Sequence, residues 1–259
     1  MRPSSIRRTI TLLMLGLASW QPANGAEDEA QIQELKEKVA LATRMLVMEG
    51  LLASSGHVSA RIPGTDQVLI GPRDVSRAIL QADDLVTVEL NSTQSGGTRR
   101  APREVEIHTG IYRARPDVMA VVHSHPVHSL AFSITGKPIL PVTVHGAIFG
   151  EGVPVMEHVG HVNSRELGDG LAQALGDKNA VLLKMHGAAI AAPTLEEAFA
   201  WTLHLEENAE KQLWAEATGT VQAMTQEDIE RCIRESFGWA SIVKRWDYYA
   251  EQERRLQLK

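Results

Sequence analysis

The chain has 259 residues, enough for one generous domain or two small ones. Its hydrophobic share of 44% is ordinary for a globular protein, so a sizeable core is available. A net charge of -6 argues against a general nucleic-acid binder, which carries a basic surface, and the single cysteine, Cys232, excludes an internal disulfide.

Residues 1–25 read as an export signal. Arg2, Arg7 and Arg8 form a basic start, residues 10–20 are an apolar run too short for a stable membrane span, and Ala23, Gly25 and Ala26 supply small residues for cleavage. The Arg7-Arg8 pair leaves twin-arginine export open beside general secretion. The expectation is an exported, periplasmic protein with its mature domain over 26–259 and no membrane contact beyond the signal.

Ile32, Leu35, Val39, Leu41, Leu46 and Val47 are spaced for a helix ending near Gly50. Between 56 and 88 the signals are strand and turn, with Pro63-Gly64 and Gly71-Pro72 as punctuation. Residues 83–90 alternate, and Gly96-Gly97 marks a loop tip. Residues 104–115 are spaced as a helix, stopped by Pro116. A short apolar strand over 118–123 and a short helix over 127–134 follow. Strands are expected at 141–144, 153–156 and 179–184, and a helix at 164–175 that ends at Gly176. The longest helix is expected over 194–218, opened by the Thr194/Glu197 cap pair. From Gln226 the chain is helical, with Cys232 as a packed residue. Strict strand–helix alternation is missing and no glycine-rich phosphate loop follows the first strand. The pattern fits a single α/β domain with a mostly antiparallel central sheet and helices on both faces.

Histidines carry the chemistry. In VVHSHP, His123 and His125 stand at i and i+2, which a strand places on one face, and Pro126 ends that strand at what reads as a sheet edge. In LLKMHGAA, His186 follows a buried strand and Gly187 permits a sharp turn. Three imidazoles from neighbouring strand ends would leave a divalent ion one open position, as catalytic sites do. Glu104 opens the helix that carries His108; it reads either as a charge facing the helix dipole or as a general acid/base. His204 reads as a packed or solvated helix residue, and His158 and His161 as loop residues.

These pieces together resemble the class II aldolase/adducin family, over about residues 40–217. The anchors are GHVSAR (56–61), REVEIHTGIYRARPDVMAVVHSHP (103–126) and KMHGAAI (184–190). The resemblance implies an α/β/α sandwich and a homotetramer with active sites at subunit boundaries. It implies His123, His125 and His186 as metal ligands and Glu104 as the catalytic acid/base, with His108 four residues on. Zn2+ is the usual ion, with Mn2+ or Co2+ as substitutes. Tyrosines near the C-terminus serve a neighbouring subunit in relatives; Tyr248 and Tyr249 are the candidates here.

The departures bear on substrate. Relatives that bind phosphate carry G-N-x-S, where this chain has His57 in the asparagine position and keeps Ser59. They carry two serines before the glutamate, where this chain has Pro102 and Arg103. A guanidinium suits a planar carboxylate, which points away from sugar phosphates and toward the decarboxylase-like branch. The stretch 141–147, PVTVHGA, also resembles that branch. His57, Ser59 and Arg103 are then the substrate-binding candidates. The expected activity is a divalent-metal-dependent carbon–carbon lyase working through a metal-stabilised enolate on a non-phosphorylated hydroxy or aromatic acid. An aldolase or epimerase of a sugar or sugar phosphate is the alternative, and an inactive adducin-like binding protein is the alternative from another class.

Overall fold

The computed structural model describes residues 25–92, 98–150 and 152–258. The export-signal reading, apart from Gly25, and the Gly96-Gly97 tip lie outside the described residues. No described helix is long and apolar enough to cross a membrane.

The elements run α1 (Gly25–Met48), β1 (His57–Arg61), β2 (Gln67–Ile70), β3 (Val86–Glu89), α2 (Val105–Ala114), β4 (Ala120–Ser124) and α3 (Val127–Thr135), then β5 (Val155–Met156), α4 (Arg165–Leu175), β6 (Ala180–Leu183), β7 (Gly187–Ala192), α5 (Leu195–Thr218), α6 (Gln226–Ser236) and α7 (Trp239–Gln257). The sheet order is β3-β2-β1-β4-β7-β6-β5. Every neighbouring pair is antiparallel except β5 with β6.

Alternation along the strands divides the core in two. Val58, Ala60, Ala120, Val122 and Ile190 face α1, α5 and α7, where Val39, Leu46, Phe199 and Trp246 pack. Val68, Val121, Ala189 and Ala191 face α2 and α4, where Ile107, Ile111, Leu171 and Leu175 pack. The result is the expected three layers.

The differences from the sequence reading are local. Residues 141–144 are not a strand. Asn208 and Gln212 on α5 accept the backbone N–H groups of Leu140, Val142 and Thr143, so this segment is paired with side chains rather than with a sheet neighbour. β7 carries no strand signal in the sequence, because GAAIAA has few β-branched or aromatic residues. Burial between β4 and β6 decides its conformation. β4 is the middle strand of seven, so His125 lies past the end of a central strand and not at a sheet edge. α1 equals α5 in length, at 24 residues each.

Two contacts fix the helices relative to one another. Glu206 on α5 caps α3: its carboxylate accepts the backbone N–H groups of His128 at 2.8 Å and Ser129 at 2.9 Å. α2 lies so close to α4 that a Cβ on Gly110 would stand 2.5 Å from the carbonyl oxygen of Gly168. Gly110→Ala should therefore destabilise the chain, because overpacking against backbone costs about 1–3 kcal/mol or more and outweighs the gain of about 1 kcal/mol in helix propensity. A urea denaturation midpoint measures it, and a midpoint at or above wild type would contradict the packing argument.

Candidate metal centre

The site grows out of three backbone features at one end of the sheet. β4 places His123 in register with His57 on β1 and with Ala189 on β7. His125 follows one residue past β4. His186 sits in the three-residue turn between β6 and β7. Ring centroids are 4.8 Å apart for His123–His125, 5.0 Å for His123–His186 and 5.3 Å for His125–His186. One nitrogen from each lies within 4.8 Å of the other two. The three separate stretches thus converge on one point.

Gly187 makes that convergence possible. A Cβ there would fall 2.4 Å from the Ser124 carbonyl oxygen, 3.1 Å from the His125 ring and 3.3 Å from the His123 ring. No side chain fits between the two histidine-bearing segments.

The donor set suits a divalent cation. His123 Nδ1 is 3.0 Å from the Ala188 carbonyl oxygen, which fixes the tautomer that donates from Nδ1 and leaves the Nε2 lone pair free. His123 Nε2 and His186 Nδ1 are buried without a hydrogen-bond partner in the protein. Burial, followed by the neighbouring imidazoles, holds His123 well below the ordinary histidine pKa, and burial likewise lowers His125 and His186. Neutral imidazole is the form that binds a metal.

Glu104 is the N-cap residue of α2, yet its side chain makes no capping bond. The carboxylate turns into the histidine cluster instead. Oε1 is 3.2 Å from His161 Nδ1 and 3.6 Å from His186 Nε2, while Oε2 is 3.9 Å from His123 Nε2. Oε1 also accepts the Val162 backbone N–H at 3.1 Å. The helix-dipole reading of this glutamate does not explain such a geometry.

His161 is in the loop the sequence indicated, but the fold brings it to the centre. With Glu104 and His186 it forms a second set of three potential ligands. No local pattern announces it; only its distance from Glu104 does.

The remaining candidates fall in four places. His57 borders the cluster from β1, its ring centroid 5.7 Å from that of His123. Ser59 and His108 are fully buried behind it. The Ser59 hydroxyl lies 2.7 Å from His108 Nδ1 and 2.8 Å from the Tyr112 hydroxyl, so these groups are engaged with one another. Arg103 is exposed, immediately before Glu104. Tyr248 and Tyr249 line a different cleft of about 760 Å³, with His145, His204 and Arg245, which shares no residue with the histidine cluster. There the His145 and His204 rings stack at 4.4 Å, and Arg245 donates to His145 Nε2.

Comparison with known proteins agrees with this arrangement. Residues 37–213 match the family described as Class II Aldolase and Adducin N-terminal domain, and the chain belongs to that family. It is 36% identical over 177 residues to a 3,4-dihydroxyphthalate decarboxylase of Arthrobacter keyseri, covering 63% of this chain and 71% of the relative. It is 32% identical over 163 residues to an L-fuculose phosphate aldolase of Escherichia coli, covering 62% of this chain and 72% of that one. Among solved structures, the L-fuculose 1-phosphate aldolase of Glaciozyma antarctica superposes with a TM-score of 0.78 at 26% identity, over 92% of this chain and 95% of that one. These relatives are lyases, and the chain is a lyase-type enzyme by kinship.

Two outcomes follow. Gly187→Ala should cost about 10- to 100-fold in divalent-metal affinity, the range for disturbing the support of metal ligands, as read by competition with a fluorescent chelator. The metal-free chain should also lose stability on acidification. His108 is held down to about 3 by burial, and His204 is lowered by burial still further. The unfolded chain therefore takes up protons below about pH 6.5 that the folded chain refuses. Each such histidine removes about 1.4 kcal/mol per pH unit between there and its folded pKa. Urea midpoints in chelator at pH 7 and pH 5 test this; equal midpoints would refute it.

Proposed function

We propose that the protein is a divalent-metal-dependent carbon–carbon lyase that decarboxylates a hydroxylated aromatic acid. The observation that carries this reading is the convergence of His123, His125 and His186 with the Glu104 carboxylate beside them. A Zn2+, Mn2+ or Co2+ ion held by the three imidazoles would supply Lewis-acid stabilisation of negative charge on adjacent substrate oxygens. Neutral ligands leave the ion's charge uncompensated, which favours anionic oxygens.

The residues divide the remaining work. Glu104 takes the proton of a ring hydroxyl as the substrate binds. The bond to the carboxylate breaks, carbon dioxide leaves, and the electron pair stays on the ring carbon. Glu104 returns the same proton to that carbon. Arg103 and His57 orient the departing carboxylate. The decarboxylase relative supports this choice of substrate, as does the replacement of small phosphate-wrapping residues by His57 and Arg103. An inactive adducin-like role is disfavoured, since a scaffold needs neither the imidazole cluster nor an adjacent carboxylate.

By the same kinship the protein is a homotetramer, in which Tyr248 or Tyr249 reaches a neighbouring subunit's site, and by its N-terminal pattern it is exported to the periplasm.

The test is direct. Protein stripped with chelator and reloaded with Zn2+, Mn2+ or Co2+ is incubated with ortho-dihydroxylated benzoates and phthalates while carbon dioxide is measured. Release that depends on the ion supports the proposal. Cleavage of L-fuculose 1-phosphate without carbon dioxide release would replace it with the aldolase reading. Glu104→Gln should lower kcat by about 100-fold or more, as loss of a general acid/base does, while the metal content of the purified protein stays at the wild-type value.

A further inference from the structure

The turn that carries His186 is held in an unfavourable conformation. Met185, immediately before His186, has φ 56°, and it is the only non-glycine residue with positive φ among the described residues. A β-carbon crowds the backbone in that region, so such a residue persists only where its surroundings impose it. Packing of the Met185 side chain does not impose it, because Met185 is 52% exposed. Its backbone does. The Met185 N–H donates to the Ser133 hydroxyl at 3.0 Å. Ser133 lies near the end of α3, is 2% exposed, and donates its own proton to the Leu130 carbonyl at 2.9 Å. One hydroxyl thus uses both of its capacities, and it ties α3 to the β6–β7 turn.

This tie matters because of what α3 follows. His125 and Pro126 lead directly into α3, whose first turn Glu206 anchors. α3 is therefore fixed relative to the His123/His125 pair at one end and to the His186 turn at the other. We propose that Ser133 is a positioning residue for the divalent ion: by anchoring the Met185 N–H, and with it the whole turn, to α3, it sets His186 opposite His123 and His125. The inference rests on the metal-centre reading above. It adds a residue that touches neither ion nor substrate and that no histidine or carboxylate pattern would select.

The experiment compares the full-length wild-type chain with Ser133→Ala and with Ser133→Cys, which keeps the volume but is a poor acceptor. Metal-free protein is titrated with Co2+ against a competing chelator, and the visible absorption of the bound ion is recorded. In both variants the Co2+ affinity should fall by about tenfold or more. The absorption bands should shift as the third imidazole leaves its place, and the melting temperature of the metal-free chain should change little. Wild-type affinity and an unshifted spectrum in the two variants would overturn the inference while leaving the metal centre intact. So would a lowered melting temperature with affinity and spectrum unchanged, since that is the mark of a purely structural contact. A wild-type chain that took up no Co2+ would overturn the metal centre itself, and the positioning role with it.

Discussion

The whole site depends on how closely β7 can approach the end of β4. Gly187 begins β7 with no side chain, and the Ser124 carbonyl and two imidazole rings occupy the space a Cβ would need. Without that approach His186 stands off, and the two remaining imidazoles are only a strand pair. The neighbouring residues follow the same demand. Met185 accepts a left-handed backbone so that the turn reverses within three residues, and Ala188 and Ala189 keep the strand beside His123 thin. The poor β propensity of GAAIAA is the cost of a strand that must lie close to its neighbours rather than fill space.

Electrostatics reinforces this geometry. Imidazoles crowded in a buried place repel if charged, and burial removes water that would stabilise the charge. The structure resolves this by keeping them neutral. The Ala188 carbonyl selects the His123 tautomer, and Ser59 engages His108 from behind. The unpartnered Nε2 of His123, 3.9 Å from Glu104, would be costly in a site meant to remain apolar. It is appropriate in one that offers a lone pair to a cation. Glu104 brings a carboxylate to the same point, aligned by the Val162 N–H and not spent on capping its own helix.

Much of this was legible in the chain. His-x-His before Pro126 on an apolar run can hardly be placed except at a strand end, and the Met-His-Gly turn after a second apolar run suggests the partner. The helix from Glu104, the Thr194 cap and the strands at β4 and β6 follow from periodicity and from capping chemistry. What failed to show was set by partners distant in sequence. Residues 141–144 look like a strand, but Asn208 and Gln212 take their backbone donors. His161 looks like an ordinary loop histidine until its distance from Glu104 is known. Tyr248 and Tyr249 sit in a separate cleft within one chain, a separation their position near the C-terminus does not reveal.

The sequence by itself determined the kind of chemistry: which residues can bind a cation, which can move a proton, and that an α/β domain would carry them. Those properties belong to side chains and to local periodicity, so they survive without coordinates. Only the tertiary structure decided which groups meet. Strand order put β4 at the centre between β1 and β7, and the β6–β7 turn, bonded to Ser133 on α3, carries His186 to the other two imidazoles. Convergence is a sum of long-range contacts, each fixed by packing against residues far along the chain, and no window of sequence contains it.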